Sequence, residues 1–201
     1  MNIRKKEISL FKENTMLEVE YKALIDEETF ERLRAHFDWD SAKHQINHYY
    51  YDENGELGKR HITFRIREKD GRFVIQTKRH KNPGEALAIS EEAEFPADGA
   101  PESISAEKGR EYTNLPTGEL RLLGSLETLR HSLMWADGVE ICLDKSEYLD
   151  RTDYEIEVEY TGDFPPRLME ELNSLGVRFN EKSVGKYTRF IHRFMEFMRG
   201  E

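Results

Sequence analysis

Several features are missing from this sequence, and each absence excludes a class of protein. Cys142 is the only cysteine, so no disulfide can form within the chain. No apolar run reaches the length of a membrane span, so no membrane contact is expected. The first 15 residues are basic but lack the apolar segment of a secretory signal, which predicts a cytoplasmic protein.

Positive charge is also scarce. The 30 Lys and Arg residues face 40 Asp and Glu residues, for a net charge of −10. This balance argues against binding to a nucleic acid duplex, which needs a basic surface. The glycine-rich patterns GxxxxGK[ST] and GxGxxG do not occur, so no loop of this kind would hold a phosphate. A small anion could still bind where basic side chains converge.

The residues that are present predict one α+β domain, mainly β, over residues 16–201, preceded by an N-terminal extension of residues 1–15. An aromatic content of 11% argues against disorder. Alternating apolar and polar residues predict the strands 16–23, 45–52, 61–67, 72–79, 87–95, 125–135, 138–147 and 153–161. Helical spacing predicts helices over 27–37, 101–123 with a break at Pro116, 165–175 and 182–198. Asp70-Gly71 and Asp137-Gly138 are typical of hairpin turns.

Most of the predicted strands have one apolar face and one charged face. An open sheet with its charged face in water would explain any single strand. Like charges at consecutive positions on a face repel unless an opposite charge binds between them. The whole set therefore favours a closed, or nearly closed, barrel with its charged face inward. The residues that share such faces are Glu18, Glu20 and Lys22; Arg65 and Arg67; Gln76 and Lys78; Glu92 and Glu94; and Glu155, Glu157 and Glu159.

Acidic and basic groups in one cavity suit a polyphosphate with a bound metal. Carboxylate oxygens are the ligands that Mg²⁺ and Mn²⁺ prefer. Arginine grips phosphate oxygens with a planar fork, and lysine acts as a point charge. We therefore expect these faces to bind a triphosphate together with a divalent cation.

In its motifs the sequence resembles the CYTH superfamily, also called triphosphate tunnel metalloenzymes, which includes class IV adenylate cyclases and thiamine triphosphatases. The signature is ExExK on the first strand, here Glu18-Val19-Glu20-Tyr21-Lys22. The spacing Asp144-x₃-Tyr148 is most similar to a branch found in Gram-positive bacteria. One departure is Gln76, where the family often has threonine. The other matches, in family order, are Arg65 and Arg67, Lys78, Glu92 and Glu94, Arg130, Asp144, Glu155, Glu157 and Glu159, and Lys186 with Arg189.

The resemblance implies an eight-stranded antiparallel β-barrel with peripheral helices and a tunnel through its middle. It also implies hydrolysis of a triphosphate, with inorganic tripolyphosphate as the leading substrate and Mg²⁺ or Mn²⁺ as cofactor. Two alternatives stay open: cyclisation of ATP by a class IV-type adenylate cyclase, and binding of polyphosphate or nucleotide without turnover. The Phe190, Phe194 and Phe197 stripe predicts core packing that could extend to a homodimer contact.

Residue roles follow from the same resemblance. The residues expected in catalysis are Glu18, Glu20 and Lys22. Those expected to bind the substrate are Lys22, Arg65, Arg67, Lys78, Arg130, Lys186 and Arg189. Those expected to bind metal are Glu18, Glu20, Glu92, Glu94, Asp144, Glu155, Glu157 and Glu159, with one glutamate of the last strand structural instead. Cys142, between two apolar residues, is expected to be buried and inert.

Overall fold

Strands and short helices make up the computed structural model, which describes residues 15–81, 87–179 and 184–200. The strands are β1 (Thr15–Ile25), β2 (Ser41–Asp52), β3 (Ile62–Lys69), β4 (Arg72–His80), β5 (Leu87–Ala97), β6 (Ser103–Ile104), β7 (Leu120–Ala136), β8 (Val139–Tyr148) and β9 (Arg151–Tyr160). The helices are α1 (Glu27–His36), α2 (Glu56–Lys59), α3 (Ala106–Thr113), α4 (Pro166–Ser174) and α5 (Lys186–Arg199). None of these helices is long and apolar enough to cross a membrane.

The strands join in the order β2-β3-β4-β5-β1-β9-β8-β7-β6, and β2 also pairs with β7. That extra pairing closes eight of the strands on themselves and leaves β6 attached to β7. The predicted fold class, a closed antiparallel barrel of eight strands with a few helices, is thereby confirmed.

Two hairpin turns form where the sequence predicts them. Asp70 and Gly71 both have positive φ, at 52° and 70°, as a two-residue turn between β3 and β4 requires. Gly138 has φ 71°, and a Cβ there would lie only 2.4 Å from the Oγ1 atom of Thr161. Both the backbone conformation and the space therefore favour glycine between β7 and β8.

The chain divides into two compact units, and the first contains Ile46–Lys81 and Ser90–Ser125. Its apolar core includes Phe64 and Ile66 of β3 and Leu120 of β7, all almost fully buried. Tyr112 of α3 packs against this core. Because Phe64 and Ile66 face the core, Arg65 and Arg67 project from the other face of β3.

The second unit contains Glu18–Gln45 together with the described residues 126–179 and 184–200. Its core joins the apolar faces of β8 and β9 to the inner sides of α1 and α4. The fully buried members of this core are Leu33, Ile141, Leu143, Ile156, Val158, Leu168, Leu172 and Val177. Since strand side chains alternate, Glu140 and Asp144 of β8 and the acidic residues of β9 lie on the face that points away from these helices.

The prediction of a helical stretch over residues 101–123 is wrong at both ends. The helix α3 is only eight residues long, Ser103–Ile104 form β6, and β7 already begins at Leu120. Asn114 ends α3 in a left-handed conformation with φ 55°. Ile104 then pairs with Leu120, which is fully buried, so strand pairing and core packing decide the structure here.

Other element boundaries differ by a few residues. β2 begins four residues before the predicted strand 45–52, and α5 ends at Arg199 instead of residue 198. Residues 182–183 of the predicted last helix and residues 1–14 of the predicted extension lie outside the described residues. Thr15 belongs to β1. One domain over 16–201 stays a prediction.

Candidate functional site

Four neighbouring strands of the second unit place the predicted charged residues in cross-strand rows. Residues directly opposite each other in an antiparallel pair share a face and have Cβ atoms about 5 Å apart. The rows, read from β7 or β8 toward β1, are Arg130–Asp144–Glu155, Cys142–Glu157–Lys22 and Glu140–Glu159–Glu20. The register thus collects residues that are far apart in the chain on one small patch of sheet.

The first acidic cluster consists of Glu18, Glu20 and Glu159. One carboxylate oxygen from each lies within 4.8 Å of the others. The carboxylate of Glu20 also accepts a hydrogen bond of 2.8 Å from the ammonium of Lys22. Glu20 and Lys22 are both buried, so this ion pair is shielded from bulk water.

These three carboxylates fit a hard divalent cation. Burial raises the pKa of Glu159 to about 8, and the negative charges of Glu18, Glu157 and Glu20 add to this increase. Negative charge therefore exceeds positive charge around Glu159, even though Lys22 pairs with Glu20. A cation between the oxygens would relieve that repulsion, and Mg²⁺ and Mn²⁺ accept carboxylate oxygens.

We predict that Glu159→Gln flattens the pH dependence of stability in the metal-free protein. The pKa of Glu159 is about 8 in the folded protein against a usual value of 4.5, so folding takes up a proton between these pH values. The free energy of unfolding should therefore fall as the pH rises from about 5 to about 8. Urea unfolding in EDTA across this range would measure the slope. Identical slopes for the wild type and the variant would contradict the prediction.

The second acidic cluster, Asp144, Glu155 and Glu157, already has a cation among its oxygens. The ammonium of Lys186 lies 2.9 Å from Asp144 and 2.6 Å from Glu157, and it also pairs with Glu155. Burial lowers the pKa of Lys186, but the three nearby carboxylates outweigh burial and raise that pKa above its ordinary value. Lys186 is therefore charged at neutral pH, and it donates hydrogen bonds to Glu155 and Glu157 while it also forms an ion pair with Asp144.

Two arginines extend this buried network. Arg130 donates from Nε and Nη2 to both oxygens of Asp144, at 2.8 and 2.6 Å, and Nη2 also donates to Glu157. Arg189 of α5 donates to Asp153 and Glu155, at 2.7 Å in each case. Burial by itself would raise the pKa of Glu157, but Lys186 and Arg130 hold that pKa well below its usual range. The network ties α5 to β8 and β9.

The first unit carries the remaining predicted ligands in two adjacent rows. Arg65, Gln76 and Glu94 lie opposite one another on β3, β4 and β5. In the next row, the ammonium of Lys78 lies 2.9 Å from the carboxylate of Glu92. Each of these two rows thus contains one basic and one acidic side chain, and in the first row Gln76 lies between them.

Arg67 also lies in the first unit, and its Nε donates a hydrogen bond of 3.1 Å to the amide oxygen of Asn47. Asn47 of β2 is one of several neighbours that the residue-level predictions did not include; the others are Glu140 opposite Glu159 and Asp153 beside Arg189. Each lies on the polar face of its strand. Strand alternation was the signal that could have found them.

The predicted site residues thus fall into two sets. Glu18, Glu20, Lys22, Arg130, Asp144, Glu155, Glu157, Glu159, Lys186 and Arg189 belong to the second unit. Arg65, Arg67, Lys78, Glu92 and Glu94 belong to the first unit. Among the described residues, a group of three carboxylates close enough to share a metal occurs only in the second unit, and one of its two groups surrounds Lys186. The assignment of roles to individual residues stays a prediction.

Cys142 is buried, as predicted, and it lies on the polar face opposite Glu157. Its Sγ is 3.7 Å from the hydroxyl of Ser132. Burial raises the pKa of the thiol to about 12, because a thiolate would lose its hydration and Glu157 and Asp144 add negative charge. The protonated thiol is a poor nucleophile.

We predict that Cys142 does not react with a thiol reagent in the native protein at pH 8. A thiol with a pKa of about 12 has almost no thiolate at that pH, and the side chain is shielded from solvent. Labelling with a chromogenic disulfide should give no thiol in buffer and one thiol in denaturant. Rapid labelling of the folded protein would contradict this.

Comparison with known proteins adds independent findings. The model of the CYTH domain family matches residues 16–190. A protein of Bacillus subtilis (strain 168) named "Putative triphosphatase YjbK" is 28% identical over 148 residues, which cover 71% of this chain and 77% of that protein.

Two solved structures have similar folds. A "putative adenylate cyclase" from Bacillus halodurans is 28% identical with a TM-score of 0.66, over 88% of this chain and 98% of that chain. A "putative adenylyl cyclase" from Hippeastrum, described as having a dominant triphosphatase activity, is 23% identical with a TM-score of 0.73. The second likeness covers 88% of this chain and 96% of the other, and it concerns the fold alone. The motif resemblance described above is confirmed by these matches.

Proposed function

Since the chain belongs to the CYTH domain family, we propose that it hydrolyses a triphosphate with the help of a divalent metal, and that inorganic tripolyphosphate is its substrate. The observation that carries this proposal is the carboxylate cluster of Glu18, Glu20 and Glu159 beside the ammonium of Lys22. Such an arrangement offers a cation site and a phosphate contact on adjacent side chains. The name of the Bacillus subtilis relative supports the same reaction class.

In this proposal Glu18, Glu20 and Glu159 would hold Mg²⁺ or Mn²⁺. The metal, when bound, would polarise phosphate oxygens and lower the pKa of a water molecule. Lys22 neutralises charge on the phosphate chain while its pairing with Glu20 fixes its position. Cys142 is a poor candidate for a covalent nucleophile because its thiol stays protonated. We therefore propose that water attacks the phosphate directly.

Arg189 of the second unit retains a donor for a phosphate. In the described part of the chain, Nη2 of Arg189 is buried without a hydrogen-bond partner, and an anion would satisfy it. Lys186 differs, since its ammonium already forms ion pairs with three carboxylates. Contact between Lys186 and a phosphate would require one of those ion pairs to break.

The basic residues of the first unit are proposed as further phosphate ligands. Arg65, Arg67 and Lys78 are each only partly buried, so their charges are accessible to a small anion. Glu92 and Glu94 are proposed as additional carboxylates for metal. Single substitutions of these residues, assayed for tripolyphosphate affinity and for metal affinity separately, would assign the roles.

A substrate panel tests the proposed reaction. The protein is incubated with tripolyphosphate, ATP or thiamine triphosphate, each with Mg²⁺ or Mn²⁺, and phosphate and cyclic AMP are both measured. Phosphate release that is fastest from tripolyphosphate supports the proposal. Cyclic AMP from ATP would establish a cyclase instead, and binding of tripolyphosphate without any turnover would leave a binding protein.

The net charge of −10 supports a small-molecule triphosphate, and not a nucleic acid duplex, as the partner. We further propose that the protein acts in the cytoplasm.

A homodimer contact through the end of α5 also stays a prediction. Phe190 is buried and stacks on Phe194, as core packing requires, but Phe197 is exposed and would be available to a second copy. Light scattering of the wild type and of Phe197→Ser would test that contact.

A further inference from the structure

Gln76 sits between a cation and an anion in the first unit. Its side-chain oxygen accepts a hydrogen bond of 2.8 Å from Nε of Arg65, and its side-chain nitrogen donates to the carboxylate of Glu94. The three residues are in register on adjacent strands, so the contacts run straight across β3, β4 and β5. Gln76 itself is only 5% exposed. A buried amide that is bonded at both ends has a fixed rotamer.

The contact with Gln76 determines which edge of Arg65 is available. A guanidinium has two edges that can each grip a pair of oxygens, and one of them includes Nε. Gln76 takes the Nε proton, so the edge formed by Nη1 and Nη2 remains. In the part of the chain that the structure describes, these two terminal nitrogens have no hydrogen-bond or ion-pair partner. That edge is the one suited to two phosphate oxygens.

A neutral amide at this position also preserves the charge of Arg65. In the neighbouring row the carboxylate of Glu92 contacts Lys78 directly and offsets its charge. In the row of Arg65, Gln76 separates the guanidinium from the carboxylate of Glu94. Glu94 therefore orients the amide, the amide orients the arginine, and the arginine keeps a full positive charge toward an incoming anion.

We propose that Gln76 is a positioning residue for phosphate binding, which acts by holding Arg65 with its terminal nitrogens presented to the substrate. This inference rests on the proposed function, because it takes Arg65 as a phosphate ligand. It goes beyond that function by giving a role to the one residue of the β4 motif that departs from the family pattern.

A double-mutant cycle on tripolyphosphate affinity tests this role. Isothermal titration with tripolyphosphate in EDTA would give Kd for the wild type, Gln76→Met, Arg65→Met and the double variant. Methionine keeps the size of glutamine but cannot accept the Nε proton, so Gln76→Met should weaken binding about tenfold. In the Arg65→Met background the same change should alter Kd by less than about twofold, because no guanidinium is left to position.

A second variant separates orientation from charge. Gln76→Glu can still accept the Nε proton, but it cancels the charge of Arg65 and repels Glu94, so we expect a loss of about 100-fold that high salt reduces. Arg65→Lys keeps the charge without the fork, and Gln76→Met should be silent in that background as well. Thermal unfolding of each variant shows whether the fold is retained.

The outcomes distinguish the inference from the function on which it rests. An equal loss from Gln76→Met with and without Arg65 would overturn the positioning role, as would unchanged affinity in Gln76→Met. If the wild-type protein binds tripolyphosphate but never hydrolyses it, the proposed function is wrong. The double-mutant cycle would still test the role of Gln76, because it measures only Kd. Wild-type protein that does not bind tripolyphosphate would overturn both.

Discussion

Replacing Glu18 or Glu20 by glutamine is expected to slow tripolyphosphate hydrolysis by on the order of 10³-fold, the scale for removing one preorganised electrostatic group from an active site. Either change deletes one negative charge from a cluster whose oxygens lie within 4.8 Å of one another. A cation there would lose a strong ligand, while glutamine keeps the size and polarity of the side chain. Rates at saturating Mg²⁺ and Mn²⁺ would measure the effect.

The matched control for these variants is Glu147→Gln. Glu147 lies on β8 of the same unit, but it is exposed and pairs only with the surface residue Lys145 among the contacts described. Its rate should equal that of the wild type. Affinity for tripolyphosphate measured in EDTA should be preserved or improved in Glu18→Gln, since the basic ligands remain and one repelling charge is gone. Full activity in both cluster variants would rule out Glu18 and Glu20 as metal ligands.

Lys186→Met is expected to lower the free energy of unfolding by about 3–5 kcal/mol, the usual cost of removing one partner from a buried ionic network. Asp144, Glu155 and Glu157 would then share a buried space without the ammonium that contacts all three. Methionine preserves most of the volume of lysine, so the loss would report on charge more than on packing. Urea unfolding at pH 7 in EDTA would give the value.

Arg193→Met on the same helix serves as the comparison. Arg193 pairs with Asp150, whose side chain is largely exposed, and such pairs contribute little to stability. Mg²⁺ should stabilise Lys186→Met more than it stabilises the wild type, because the three carboxylates would be open to another cation. Similar losses in Lys186→Met and Arg193→Met would show that the buried cluster does not need its lysine.

The sequence predicts the two faces of each strand well because strand geometry has a period of two. Ile156 and Val158 are fully buried in the apolar core, so Glu155, Glu157 and Glu159 had to share the other face. The same logic applies to Arg65 and Arg67 around Ile66. Fold class followed from these patterns together with the ExExK resemblance.

What the sequence could not predict is which charged residues would meet. Lys186 binds Glu157, 29 positions earlier in the chain, and no local pattern encodes that pairing. The strand register that sets Asp144 beside Arg130 is likewise a tertiary property. Gln76 was visible only as a departure from a family pattern. Its contacts with Arg65 and Glu94 depend on the pairing of three strands and became visible only in the three-dimensional structure.

The dependence of β8 and β9 on a lysine from the last helix has a consequence for the order of events on the ribosome. Asp144, Glu155 and Glu157 are synthesised before Lys186, and the gap from Glu155 to Lys186 is 31 residues. A ribosome adds roughly 5–20 residues per second, so these carboxylates spend seconds without their partner. This face of the sheet can reach its final packing only after α5 has emerged, so the last helix sets the time at which the second unit is completed.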